Sequence, residues 1–386
     1  MVLVTFVCLF ASFLAISSPC PLPINATADA DAAPGCGTGN PIDDCWRCFP
    51  GWASNRQRLA DCAPGFGRGA AGGKGGAVYV VNDSSDDAAR PAPGTLRYGL
   101  VQEEPLWIVF AGDMTIRPAH ELVVASRKTV DGRGARVVVG DGGACFAVRG
   151  ARDVVIHGLT VRGCRPKPKL DAAAEAAASG GSGKGGMSDG DGVCVHNSSD
   201  VWVDHCTLED CADGLIDVVE GSTRVTLSNN LLRNHDKVML LGHSDGYTQD
   251  KAMQVTVAFN RFGPGLVQRM PRCRFGLFHV INNDYIDWEM YAIGASASPT
   301  IHSHGNRFSA DIAKEVTKRE GDVPESVWRN WNWLSDGDLM LNGAFFTASG
   351  KPGPDLKAPT FARPSSSVPS MTASAGALSC DEASPC

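Results

Sequence analysis

Beyond residue 16 the 386-residue chain has no further long apolar run, which excludes a membrane-spanning helix past the N-terminus. A basic excess is also missing: 35 Lys and Arg stand against 42 Asp and Glu, a net charge of −7. Nucleic-acid binders normally carry a basic surface, so that class is excluded. An acidic polysaccharide gripped in a local basic cleft is not excluded, because the local field matters more than the total. Almost no segment carries a helical period, which argues against a helix bundle. Charge of one sign is also absent locally. Between Asp189 and Glu220 there are nine acidic residues and no Lys or Arg, and between Arg261 and Arg274 four Arg and no Asp or Glu. Folded side by side, these stretches set a carboxylate nest against a guanidinium cluster. That pairing suits an anionic substrate held through a hard cation.

What is present begins with an apolar stretch from Val2 to Ile16 followed by small residues and prolines. It reads as a secretory signal peptide of about 18 residues, although no basic residue precedes it. Cleavage falls near Ser18 or among Ala26, Ala28 and Ala30, and a membrane-anchored start is the alternative. Fourteen cysteines fit an oxidising compartment. Asn25, Asn82 and Asn197 each open an Asn-x-Ser/Thr triplet compatible with glycosylation. The expectation is a secreted, extracellular monomer with no membrane contact after cleavage. Residues 19–39 read as a loose segment, 40–350 as the folded domain and 351–386 as a tail ending in Cys380 and Cys386.

Short β-branched runs recur between Gly, Asn and Asp, starting with AVYVV at Ala77. VWVDHCTL at Val201, VTLSNNLL at Val225, VTVAFNRF at Val255 and FHVINNDY at Phe278 form a repeat with offsets of 24, 30 and 23 residues. IHSHGNRF at Ile301 fits more loosely, and DVVIHGLTV at Asp153 is an earlier copy. One apolar-alternating strand per copy, with a polar Asn or His at the bend, predicts a right-handed parallel β-helix of stacked coils, an all-β fold. Asn at the bend tolerates left-handed backbone angles and forms side-chain ladders from coil to coil. An antiparallel sandwich is the competing arrangement. The low-complexity stretch from Asp171 to Gly186 reads as a tolerated surface loop or a flap beside the acidic segment.

Two constellations carry chemistry. Asp189-Gly-Asp191-Gly is followed by Asp213-Gly-Leu-Ile-Asp217. On a strand, Asp213 and Asp217 share a face, as do Asp189 and Asp191. Carboxylates gathered so closely repel one another unless protonated or bridged by a cation, and Ca2+ takes six to eight oxygen ligands. Aspartates in ordinary turns explain the same spacing. Lys237 lies with Arg269-Met-Pro-Arg272-Cys-Arg274 about two coils beyond the aspartates, and a solvated basic surface is the plain alternative there.

The chain resembles the plant pectate lyases of polysaccharide lyase family one, including their pollen-allergen members. The likeness runs from Asn40 to Gly343, carried by NPIDDCWRC, LADCAPGFG, PGTLRYG, TVDGRGA, DGDG, VWVDH, VMLLGHSD, QRMPRCR, NNDYIDWEMYAIG and GDLMLNGA, with GALSC at Gly376–Cys380. The resemblance implies calcium-dependent β-elimination of de-esterified homogalacturonan in the cell wall, yielding 4,5-unsaturated oligogalacturonates. Under it, Asp189, Asp213 and Asp217 match calcium ligands, Asp191 an auxiliary one, and Arg269 the arginine that takes the C5 proton. Lys237 and Arg274 match binders of substrate carboxylate. The disulfides implied are Cys45–Cys62, Cys145–Cys164 and Cys380–Cys386. His205 reads as part of the buried coil, and Cys194, Cys206 and Cys211 as buried thiols. Cys206 stands where the family has Asn, so the ladder is expected to break there. A pectin hydrolase on the same coil, which needs paired acid and base carboxylates, and a non-catalytic, allergen-like pectate binder are the competing functions.

Overall fold

The computed structural model describes residues 37–49, 51–169, 186–351, 361–380 and 386. The expected signal peptide, nearly all of the loose segment before residue 40 and the low-complexity insertion up to residue 185 lie outside the described residues. The chain winds as a right-handed parallel β-helix whose strands stack into sheets of ten, eight and nine strands. A representative coil runs through Val193–His196 in the eight-stranded sheet, Ser199–Asp204 in the ten-stranded sheet and Thr207–Glu209 in the nine-stranded sheet. Ile216–Val219 then begins the next coil. Among the described residues no helix is long and apolar enough to cross a membrane.

The sequence repeat is the register of the ten-stranded sheet. Val201 pairs with Val225, Val225 with Val255, Val255 with Phe278 and Phe278 with Ile301. The loosely fitting last copy is in register with the rest. These residues are fully buried inside the coil and contribute to one continuous apolar core. Burying each such side chain stabilises the coil by about 1.5–3 kcal/mol. The outward positions of this sheet are covered as well, by burial of apolar Trp107, Val155 and Trp202 and of polar Thr129, Thr226 and Thr256. The N-terminal segment lies across them: Phe66, Gly67 and Gly73 donate backbone N–H groups to Thr256, Thr226 and Thr129 at 2.9–3.0 Å. Gly67 has to be glycine, since a Cβ there meets the Thr226 nitrogen at 2.7 Å.

Between the ten- and nine-stranded sheets the chain bends at one left-handed residue per coil, namely His205, Asn229, Phe259, Asn282 and Gly305, with φ from 49° to 62°. The residue after each bend forms a ladder. Asn230 donates to Asn260, Asn260 to Asn283 and Asn283 to Asn306 at 2.9–3.0 Å, and Asn306 donates to Asp338. The expected break at Cys206 does not isolate that rung, because the Cys206 backbone N–H still donates to Asn230 Oδ1 at 2.9 Å. Inside the nine-stranded sheet Phe262, Tyr285 and Phe308 stack with centroids 4.5–4.6 Å apart.

All three expected disulfides are present: Cys45–Cys62, Cys145–Cys164 and Cys380–Cys386. Cys194, Cys206, Cys211 and Cys273 are free and buried. His205 sits in the buried coil, its Nε2 2.8 Å from Asp43 and its Nδ1 3.1 Å from the Gly376 carbonyl. One ring therefore ties the N-terminal helix Pro41–Trp46 and the C-terminal segment to the same coil.

Candidate active site

The charged residues singled out in the sequence gather along the outer face of the eight-stranded sheet and the connections that lead into it. Asp217 lies on the strand Ile216–Val219, in register with Leu240, which is in turn in register with Arg272. Carboxylate and guanidinium columns are thus two strands apart, about 9–10 Å at the usual strand spacing. Asp213 is not on that strand, and neither Asp189 nor Asp191 is on the strand beginning at Val193. The expected pairing of carboxylates along a strand face is replaced by a loop arrangement: both pairs sit where the chain enters a strand of this sheet.

Gly214 organises the acidic side. Its N–H donates to Asp191 Oδ1 at 2.7 Å. A Cβ added to Gly214 meets Asp217 Oδ1 at 2.3 Å and Asp191 Oδ1 at 3.2 Å, so the two carboxylates converge over this glycine. Burial raises the Asp191 carboxyl to about 6, the Gly214 hydrogen bond opposes, and the charges of Asp213 and Asp189 add to the rise. Burial also pushes Asp217 well above the carboxylate range, helped by Asp191 and Asp213 and opposed by Arg269. Asp213 turns away toward Lys237, with Nζ 3.1 Å from Oδ1, and Asp189 is exposed. No three of the four carboxylates approach within 4.8 Å of one another.

On the basic side, Lys237 is paired in register with Gln268, the residue before Arg269. Arg269 has φ 65°, a left-handed angle uncommon for a side chain of this size. Its Nε is buried without a hydrogen-bond partner. Burial, then the charges of Arg274 and Arg269, lowers Arg272 from its ordinary value. Arg274 is fixed instead: Nε donates to Asp245 at 2.9 Å and Nη1 to the Gly242 carbonyl at 2.8 Å, while Ser296 donates to the same Asp245 oxygen. Asp245, Ser296 and Gly214 join the site only through the fold. Of the three, Asp245 alone carries a sequence signal, as the last residue of VMLLGHSD.

Oxygen donors whose burial, and then mutual repulsion, raises two carboxyls, converging where a methyl group is missing, match the ligand chemistry of a hard divalent cation. The fold and this cleft define a parallel β-helix protein with an acidic nest facing a cluster of arginines. Comparison narrows the class. A pectate lyase family model matches residues 119–353. A pectate lyase of Zinnia elegans is 55% identical over 94% of this chain and 91% of its own length. A probable pectate lyase of Arabidopsis thaliana is 57% identical over 94% of this chain and 90% of its own. The crystal structure of Jun a 1, the major allergen of cedar pollen, superposes with a TM-score of 0.83 at 46% identity, covering 88% of this chain and 100% of the other. A pectate lyase bound to a hexasaccharide shares the fold, with a TM-score of 0.62 at 21% identity, over 81% of this chain and 96% of that one. The chain belongs to the pectate lyase family, and it is an enzyme of the carbon–oxygen lyase class.

Proposed function

We propose that this chain is a secreted, Ca2+-dependent pectate lyase that cleaves de-esterified homogalacturonan by β-elimination and works as a monomer in the cell wall. The observation that carries the reading is the convergence of Asp191 and Asp217 over Gly214, two strands from the arginine segment. Asp189, Asp213 and Asp217, with Asp191, would hold the cation. A bound Ca2+ neutralises the substrate carboxylate and so acidifies the adjacent C5–H. Lys237 and Arg274 bind uronate carboxylates, and Arg274 has Nη2 to offer while Asp245 and Gly242 hold the rest of its guanidinium. Arg269 takes the C5 proton; the electron pair forms the C4–C5 double bond as O4 departs and is protonated by solvent. Cations around C5 favour the charge that develops there over the ground state, which is where catalysis is gained.

The test is ultraviolet absorbance during incubation with polygalacturonate, first with CaCl2 and then with a chelator. A rise in unsaturated uronate that chelation abolishes supports the reading. Reducing ends released without that signal identify a hydrolase, and binding without reaction identifies a non-catalytic pectate binder.

A further inference from the structure

A second cluster of metal-ligating side chains lies on a different sheet. His302 and His304 are two residues apart on the strand Thr300–His304 of the ten-stranded sheet, so both leave the same face. That face is the outer one, because Ile301 before them is buried in the core and Ser303 between them is buried as well. The neighbouring strand Trp333–Asp336 runs parallel with Asp336 opposite His304. One ligand atom from each of His302, His304 and Asp336 lies within 4.8 Å of the other two. His304 Nδ1 is 3.3 Å from Asp336 Oδ2, yet it is buried and makes no hydrogen bond. Ligands about 2.0–2.1 Å from a tetrahedral cation are themselves about 3.3 Å apart, so an ion fits where a hydrogen bond does not form. The Asp336 side chain is 65% exposed and opens the cluster to solvent.

We propose that His302, His304 and Asp336 form a site for a divalent transition-metal ion of the zinc class, separate from the aspartates of the eight-stranded sheet. Two imidazoles and one carboxylate suit such ions, whereas Ca2+ prefers an all-oxygen shell. Three protein ligands leave a fourth position for water on the exposed side. The ion ties together the last two strands of the ten-stranded sheet, clipping the C-terminal end of the coil.

The experiment titrates ZnCl2, and separately CoCl2, into the chelator-stripped full chain held in saturating CaCl2. The expected result is one Zn2+ per chain by calorimetry, visible d–d absorption from Co2+ in a nitrogen–oxygen site, and a thermal midpoint that rises with Zn2+. His304→Gln and Asp336→Asn each weaken Zn2+ by at least about tenfold, as loss of a ligand requires. Asp217→Asn leaves Zn2+ binding unchanged. Asp336→Asn alters an exposed side chain, so it keeps the test open if His304→Gln folds poorly. Absence of Zn2+ uptake, uptake that neither variant weakens, or uptake lost in Asp217→Asn overturns the proposal.

Discussion

At the scale of single residues, the site depends on two positions with opposite demands. Arg269 holds a left-handed backbone angle at the head of the arginine segment, and the proposed mechanism gives it the C5 proton. Arg269→Lys is expected to lower turnover more than about a hundredfold with polygalacturonate binding retained, measured by initial rates and by equilibrium binding. Because a guanidinium is protonated at neutral pH, the rate should climb toward alkaline pH. A pH–rate profile that peaks below about pH 6 contradicts an arginine base. Gly214 demands the absence of a side chain. Gly214→Ala drives a methyl into Asp217 and Asp191, so the Ca2+ concentration for half-maximal activity should rise at least about tenfold with little change in thermal midpoint. Arg269 stands out as a candidate through QRMPRCR, Asp217 through its spacing from Asp213, and Lys237 only as the residue just before VMLLGHSD. The geometry was not legible in the sequence, since Asp213 lies in a connection whose length no periodicity reveals. Cys273 escaped notice for the related reason that its strand spans only Arg272–Arg274, too short for an alternation to register.

At the scale of elements, the ten-stranded sheet was the most legible part, because Val201, Val225, Val255, Phe278 and Ile301 repeat both residue type and register. The ladder beside it is open to test. Asn260 donates to the Leu227 carbonyl and to Asn283, and accepts from the backbone and side chain of Asn230, all in the interior. Asn260→Ala strands several of these groups and should cost about 3 kcal/mol, read from urea unfolding. The helix Pro41–Trp46 is pinned through His205 and Asp43, and this pair carries a pH signature. Burial opposes charge on His205, but Asp43 and Asp204 outweigh it and raise the imidazole above 6.5. Burial likewise opposes charge on Asp43, and His205 and Arg47 outweigh it and lower the carboxyl below 3.8. The His205 contribution is complete below pH 6.5 and lost as pH rises through the folded value; the Asp43 contribution is complete above pH 3.8 and lost as pH falls through its own. The thermal midpoint should therefore decline on raising pH past 6.5, and His205→Gln should flatten that decline.

At the scale of the whole molecule, each coil touches only its neighbours, so local losses stay local unless they reach the segments that lie across several coils. The stretch from residue 361 to 380 is such a segment. Val368 and Met371 are buried, Met371 accepts from Asn40, the Gly376 carbonyl meets His205, and Ala377 donates to Thr207. Deleting residues 361–386 should lower the thermal midpoint by roughly 5 °C or more, checked by calorimetry. The connections that carry Asp213 and Arg269 behave differently, because neither residue lies on a strand, and Lys237 belongs to a separate two-stranded pair, His235–Lys237 with Leu266–Gln268, outside the three large sheets. On the proposed function, lengthening or recharging one of them alters which pattern of acid groups along a polymer is held, while the strands on either side keep their partners. Scaffold and grip are thus separately heritable: a lineage can retune its appetite for pectin one loop at a time without ever having to refold the protein.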